Sequence, residues 1–171
     1  MVFQIGDKII HPVYGAGTVV KIEKLSCLGS NRLYYSIDLL EESKTHVWIP
    51  VQDAEEKGVR HPTPSSQLGR VWHALQSEPE TLSSNHDEWY ELLQGKLHGG
   101  DILQIVEVVR DMFWRDHRSR RLTIEGRRLY DRGLLLLTGE VAAVQGCDFA
   151  VARAIISDSL GASLAAKPAV R

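Results

Sequence analysis

The sequence predicts an α+β chain, with a small antiparallel β-barrel of SH3 or Tudor type at its N-terminus and an all-α domain of about five helices behind it. Two observations divide the chain. Before Pro62, short runs alternate apolar and polar residues between glycine- and asparagine-bearing turns; after Pro64, apolar residues recur every three or four positions. A third observation marks the start of the barrel: His11-Pro12-Val13-Tyr14-Gly15-Ala16-Gly17 lies between the β-branched runs Ile9-Ile10 and Thr18-Val19-Val20. Pro12 fixes its φ and lacks a donor, and Gly15 and Gly17 can reach φ values that other residues avoid, so a tight turn between two strands is expected. The boundaries expected are 1–61 for the barrel, 62–161 for the helical domain and 162–171 for a loose tail.

Within the barrel, a strand through Val19–Lys24 precedes a turn at Gly29-Ser30-Asn31. Tyr35–Leu39 and Thr45–Ile49 then alternate around the polar turn Glu41-Glu42-Ser43-Lys44. In the helical half, Ser65 or Ser66 can cap a helix through Leu68, Val71, Trp72 and Leu75. A second helix is expected near Asp87–Leu97, after the loop around Pro79 and Ser83-Ser84-Asn85. Gly99-Gly100-Asp101 stops it and caps a third, whose Ile102, Ile105, Val106, Val109, Met112 and Phe113 form one apolar face. Thr123 can cap a fourth helix carrying Leu129, Leu136, Leu137, Val141 and Val144, and Asp148 a fifth ending near Gly161.

The bulk numbers narrow the class. The chain has 171 residues, 43% hydrophobic and 25% charged, ordinary values for a globular chain with one or two real cores. A net charge of −2 argues against wholesale coating of DNA or membrane but leaves room for a local basic face. No apolar run approaches the ~20 residues that cross a bilayer, and the start lacks a signal-peptide profile. Cys27 and Cys147 lack the short spacing of a metal clip or redox pair. The chain is expected to be cytoplasmic, with no membrane partner.

Nothing points to catalysis. No phosphate loop, HExxH motif or nucleophile constellation is present, and the seven histidines are scattered without metal-ligand spacing. No catalytic residue, metal or cofactor is therefore expected.

Several ordered words carry a resemblance. The first half has Ile5-Gly6-Asp7-Lys8, His11-Pro12 through Gly15-Ala16-Gly17, Tyr34-Tyr35, Ile49-Pro50-Val51 and Ala54-Glu55 through Gly58-Val59-Arg60. The second has Lys96-Leu97, Gly100-Asp101, Glu107 through Asp111, Arg115-Asp116, Leu122-Thr123 and Arg127-Arg128-Leu129. In this order, across roughly residues 2–145, the chain resembles the CarD/CdnL family of bacterial transcription regulators. The resemblance implies a barrel that docks on the β subunit of RNA polymerase. It also implies a helical domain that touches promoter DNA at the upstream edge of the transcription bubble, where a tryptophan wedge helps keep the promoter open. The same barrel occurs in the transcription-repair coupling factor, but this chain has no Walker A loop.

Candidate contact residues follow. For polymerase they are Leu25, Cys27 and Trp48. If Val47 and Ile49 face the core, Trp48 faces out, where aromatics make interface hot spots; otherwise it packs against the helical domain. For DNA they are His86, Trp89, Arg118, Arg121, Arg127 and Arg128. Arginine forks suit phosphates, and Arg127 aligns with a basic DNA-contacting position of the family. The alternative for these cations is ordinary pairing with Asp111, Asp116, Glu125 and Asp131, and an internal salt bridge is expected for Arg110. Counting back from Gly100-Asp101 puts Asn85-His86 where the family has Asn-Trp, and Glu88 and Glu91 where it tends to be basic. Imidazole inserts less apolar surface than indole, and carboxylates repel phosphate. Trp89 is either a substitute wedge or a core residue beneath Tyr90 and Leu93. The alternative to a DNA-contacting regulator is an adaptor that docks on polymerase with little or no DNA binding.

Overall fold

Short alternating runs in the N-terminal third do form a sheet. In the computed structural model, which describes residues 3–27, 30–41, 45–83, 85–119 and 121–166, strands β1 (Lys8–His11), β2 (Gly15–Cys27), β3 (Ser30–Leu39) and β4 (His46–Pro50) pair antiparallel in the order β1-β2-β3-β4. The sheet curls. A bulge between Val19 and Lys21 bends β2, and after β4 the chain returns so that Arg60 pairs with Ile10 on the free edge of β1. Phe3, Ile9, Val19, Tyr35, Ile37 and Ile49 fill the interior. Side chains of Cys27 and Ser30, the turn positions Gly29 and 42–44, Ser84, Arg120 and the tail from 167 on lie outside the described residues.

The β1–β2 turn is organised by His11. Its Nδ1 accepts the N–H groups of Val13 and Tyr14 at 2.9 and 3.2 Å, so the ring must be neutral there. Burial, with Lys57 and Arg132 nearby, lowers its pKa from 6.5 to about 4. Gly15 takes φ +79°, as the turn requires. Gly17 differs from the expectation. Its φ is not positive, and it must be glycine because a Cβ would sit 2.5 Å from Ile37 Cγ2 and 2.8 Å from the Asp38 carbonyl.

Five helices follow: α1 (Leu68–Gln76), α2 (His86–Gly99), α3 (Ile102–Ser119), α4 (Ile124–Gln145) and α5 (Phe149–Ala166). Ser65 and Ser66 do not cap α1 but form a preceding 3₁₀ turn, Ser65–Gln67. The starts of α2, α3 and α4 obey capping chemistry. Asn85 Oδ1 accepts Asp87 N–H at 3.0 Å, Asp101 Oδ1 accepts the N–H groups of Leu103 and Gln104, and Thr123 Oγ1 accepts Gly126 N–H at 3.1 Å. Gly100 and Gly146, both left-handed, end α2 and α4. Val71, Leu75, Leu93, Val106, Val109, Met112, Leu137 and Ile156 lie in one continuous core.

Helix α5 corrects two expectations. It runs five residues past Gly161, with Ser163 buried and its hydroxyl donating to the Leu160 carbonyl. It is also, by length and composition alone, apolar enough to cross a bilayer, with mean hydropathy 1.3 over 18 residues. Arg153 and Asp158 interrupt the run, yet alanines and isoleucines raise the average. Its stripe Ala152, Ile156, Leu160 is buried against the bundle.

Helix α4 joins the two halves. Gly139 lies so close to β2 that a Cβ there would be 2.9 Å from the Ala16 Cβ. One residue on, Glu140 is 1% exposed; both its oxygens accept from the Arg60 guanidinium at 2.7 Å, and Oε1 also accepts Thr63 N–H at 2.8 Å. The second Arg60 nitrogen, Nη2, also reaches the Gly100 carbonyl at 2.9 Å. Arg132, lower on α4, donates to the carbonyls of Pro12 and Val13 in the barrel turn. Replacing Glu140 by Ala strands the Arg60 charge and the Thr63 N–H, and is expected to lower unfolding free energy by about 2–4 kcal/mol. Urea denaturation measures this; a loss below about 0.5 kcal/mol would make the pair incidental.

Candidate functional site

Register sets the outer face of the barrel. Ser36 lies opposite Trp48 on one side and Lys21 on the other, and Leu25, four residues beyond Lys21, shares its parity. Lys21, Glu23, Leu25, Tyr34, Trp48 and Pro50 therefore project from one face, while Val19, Ile37 and Ile49 point inward. Trp48 is 49% exposed, beside the His46 ring at 6.2 Å between centroids. It does not pack into the helical domain, so the outward reading of its strand holds. Leu25 is half-buried on the long β2–β3 arm, about 13 Å further along the strand. β4 is the last strand in the sheet order, so among the described residues its outer edge beside Trp48 has no strand partner.

The second surface is one end of the helical bundle, where the N-termini of α2 and α4 meet the C-terminus of α3. Asp116 on α3 accepts Leu122 N–H at 3.1 Å and the Arg127 guanidinium at 2.9 Å, stitching α3 to α4. Arg115 lies 4.8 Å over the Trp89 ring, joining α3 to α2. Glu125 is partly exposed; its own backbone N–H, the Thr123 hydroxyl and the nearby His86 and Arg128 hold its carboxyl below the usual range. This end carries exposed Arg118, Arg121, Arg127 and Arg128.

His86 is the first residue of α2, with its side chain 45% exposed. Its ring meets Trp89 edge-on at 4.8 Å and lies parallel to Tyr90 at 6.0 Å, and its Nδ1 is 3.3 Å from Asp87 Oδ1. Trp89 is different. At 2% exposure it is buried beneath His86 and Arg115, and it has no free face to enter a groove. The expectation that Trp89 contacts DNA is corrected: its ring holds His86 in place from below. Glu88 is drawn into the cap, accepting from Ser83 Oγ at 2.7 Å and Asn85 Nδ2 at 3.2 Å, while Glu91 is exposed.

The remaining cations divide. Arg110 is buried and bonds Asp111 at 2.7 Å and Ser77 at 2.8 Å, the internal pair expected of it. Arg118 lies 5.1 Å over Trp114 and 4.0 Å from Glu78. Arg127 is held by Asp116, so the pairing alternative describes it in part, whereas Arg132 bonds barrel carbonyls and none of the four carboxylates. Arg60 and Glu140, which place the two surfaces relative to each other, were not singled out from the sequence. A lone carboxylate inside the apolar run Leu134–Val144 was the available signal.

Comparison with known proteins follows the same division. Residues 70–157 match the family model described as CarD, C-terminal domain, and residues 3–62 match that described as CarD-like/TRCF RID domain. A protein of Bacillus subtilis (strain 168) named "Putative transcription factor YdeB" is 28% identical over 144 residues, which cover 84% of this chain and 93% of the relative.

The burial of Trp89 generates a direct prediction. Trp89→Ala is expected to destabilise the fold by about 3–5 kcal/mol, read by thermal or urea unfolding. A stable Trp89→Ala protein would put the indole outside the core.

Proposed function

The chain belongs to the CarD family, and on that premise we propose that it is a non-enzymatic, cytoplasmic transcription regulator that docks on the β subunit of RNA polymerase and contacts promoter DNA at the upstream edge of the bubble. A transcription-related role is the common ground of the family match and the relative. Members of the barrel's family interact with RNA polymerase. The finer statements, β subunit and DNA, are this reading's own. The observation that carries it is the convergence of three helix ends with four exposed arginines around His86. Backbone N–H groups at the N-termini of α2 and α4 add to that attraction for phosphate.

On this reading the barrel docks through its outer face and the outer edge of β4, with Trp48 as the aromatic anchor. The bundle end then meets the DNA backbone through Arg127 and Arg128, and His86 lies against the minor groove. An imidazole seated on Trp89 presses less apolar surface between bases than an indole would. Its contribution to holding strands apart is correspondingly smaller. One observation favours the adaptor reading, in which DNA is scarcely touched. Arg127 is already paired with Asp116, and a phosphate must compete for it.

Binding to a promoter fragment should weaken steeply with salt. Arg127→Ala should lower affinity about fivefold and flatten the log–log salt slope by about one. Trp48→Ala should weaken binding to a polymerase β fragment by at least about tenfold and leave DNA affinity alone. Salt-insensitive or absent DNA binding with intact polymerase binding supports the adaptor instead.

A further inference from the structure

We propose that a recess between the β1–β2 turn and helices α2 and α4 holds one unpaired nucleotide of the DNA strand, with its base inside and its phosphate on Arg128. This rests on the DNA-contacting reading above and names what the strand places at that surface. The recess has a volume of about 440 Å³, a size that suits a small ligand. Its floor is apolar, made by Leu97 of α2 and Leu129 of α4, with Pro12 and Val13 of the turn at its rim.

Charge identifies the class of occupant. Arg128 makes no ion pair among the described residues, and it stands exposed at the mouth. Arg132, half-buried in the wall, spends its hydrogen bonds on the neutral carbonyls of Pro12 and Val13, and the Glu41 carboxylate offsets its charge only in part. Burial pushes its pKa down, the signature of a desolvated cation. Two guanidinium groups against an apolar floor suit an anion joined to a flat apolar body.

The polar rim identifies the body. His98 Nδ1 lies 2.8 Å from the Gln94 carbonyl, which can only accept, so Nδ1 carries a proton and Nε2 is left for a second hydrogen bond at the rim. The Gln94 side-chain amide, also at the rim, supplies donors and an acceptor. Donors and acceptors at the edge of an apolar slot are what an unpaired base needs. A paired base has its edge occupied and its faces stacked, so only an unstacked one can enter.

Position makes the strand the source. Arg128, which lines the recess, follows Arg127 in the exposed first turns of α4. The recess therefore opens beside the surface assigned to the duplex. Its walls are preformed, since Arg132 ties the turn to α4.

The test uses the full chain and three DNAs: a duplex, the same duplex ending in a fork with one unpaired 2-aminopurine, and that fork with an abasic site in its place. The expected result is fork binding at least about tenfold tighter than duplex binding, with a saturable 2-aminopurine fluorescence change. The preference should vanish with the abasic site and in Val13→Trp, which fills the recess from a rim position 55% exposed in the fold. Arg128→Ala should reduce it severalfold. Equal binding to fork and duplex, or a preference that survives Val13→Trp or base removal, overturns the proposal while leaving the duplex reading standing. Absence of binding to all three DNAs overturns both. Free deoxyadenosine monophosphate that competes at micromolar concentration also overturns the strand assignment, because the occupant is then a free nucleotide.

Discussion

A carboxylate buried in the middle of an apolar helix is the constraint on which the rest of this structure depends. Glu140 has 1% of its surface in contact with solvent, and water cannot stabilise its charge. Arg60 meets it with both arms of the guanidinium, and Thr63 adds a backbone donor. Arg60 is also the residue whose backbone returns to β1 and closes the sheet. One side chain thus couples closure of the barrel, the path of the linker and the seating of α4. The close contact of Gly139 with Ala16 and the Arg132 bonds to the turn exist only when that seating is correct.

Function inherits this geometry. Separate domains on a flexible linker would pay orientational entropy each time both partners were engaged, whereas a fixed bracket presents them together. The barrel's outer face with Trp48 and the bundle end with His86 and its arginines are held by the same interdomain contacts. His86 is itself supported rather than free, wedged between Trp89, Tyr90 and Asp87. On the proposed DNA-contacting role, the smaller imidazole is thereby compensated in placement, though not in size.

Much of this was legible in the sequence, for identifiable reasons. Strand alternation and turn glycines reported the sheet, and Asn85, Asp101 and Thr123 reported helix starts because capping is local chemistry. Trp48's outward direction followed from period two and two apolar neighbours. What escaped was non-local. Whether Trp89 is core or surface depends on Arg115, a full helix away, and α2 alone does not reveal it. The clamp between Arg60 and Glu140 spans 80 positions, and no periodicity announces it. Gly17 was read as a conformational glycine and is a steric one, since the clash involves β3. Gly161 signals a stop in the sequence, yet α5 continues to Ala166 and buries Ser163.

The claim at the centre is that polymerase- and DNA-contacting surfaces act as one body through the Arg60–Glu140 clamp. The lifetime of a polymerase–promoter open complex with the Glu140→Gln protein tests it most directly, because Glu140 lies in neither surface. The account predicts a lifetime severalfold shorter than with the unmodified chain, while separate affinities for a β fragment and for DNA hold steady. An unchanged lifetime, with the clamp's carboxylate gone, would contradict it.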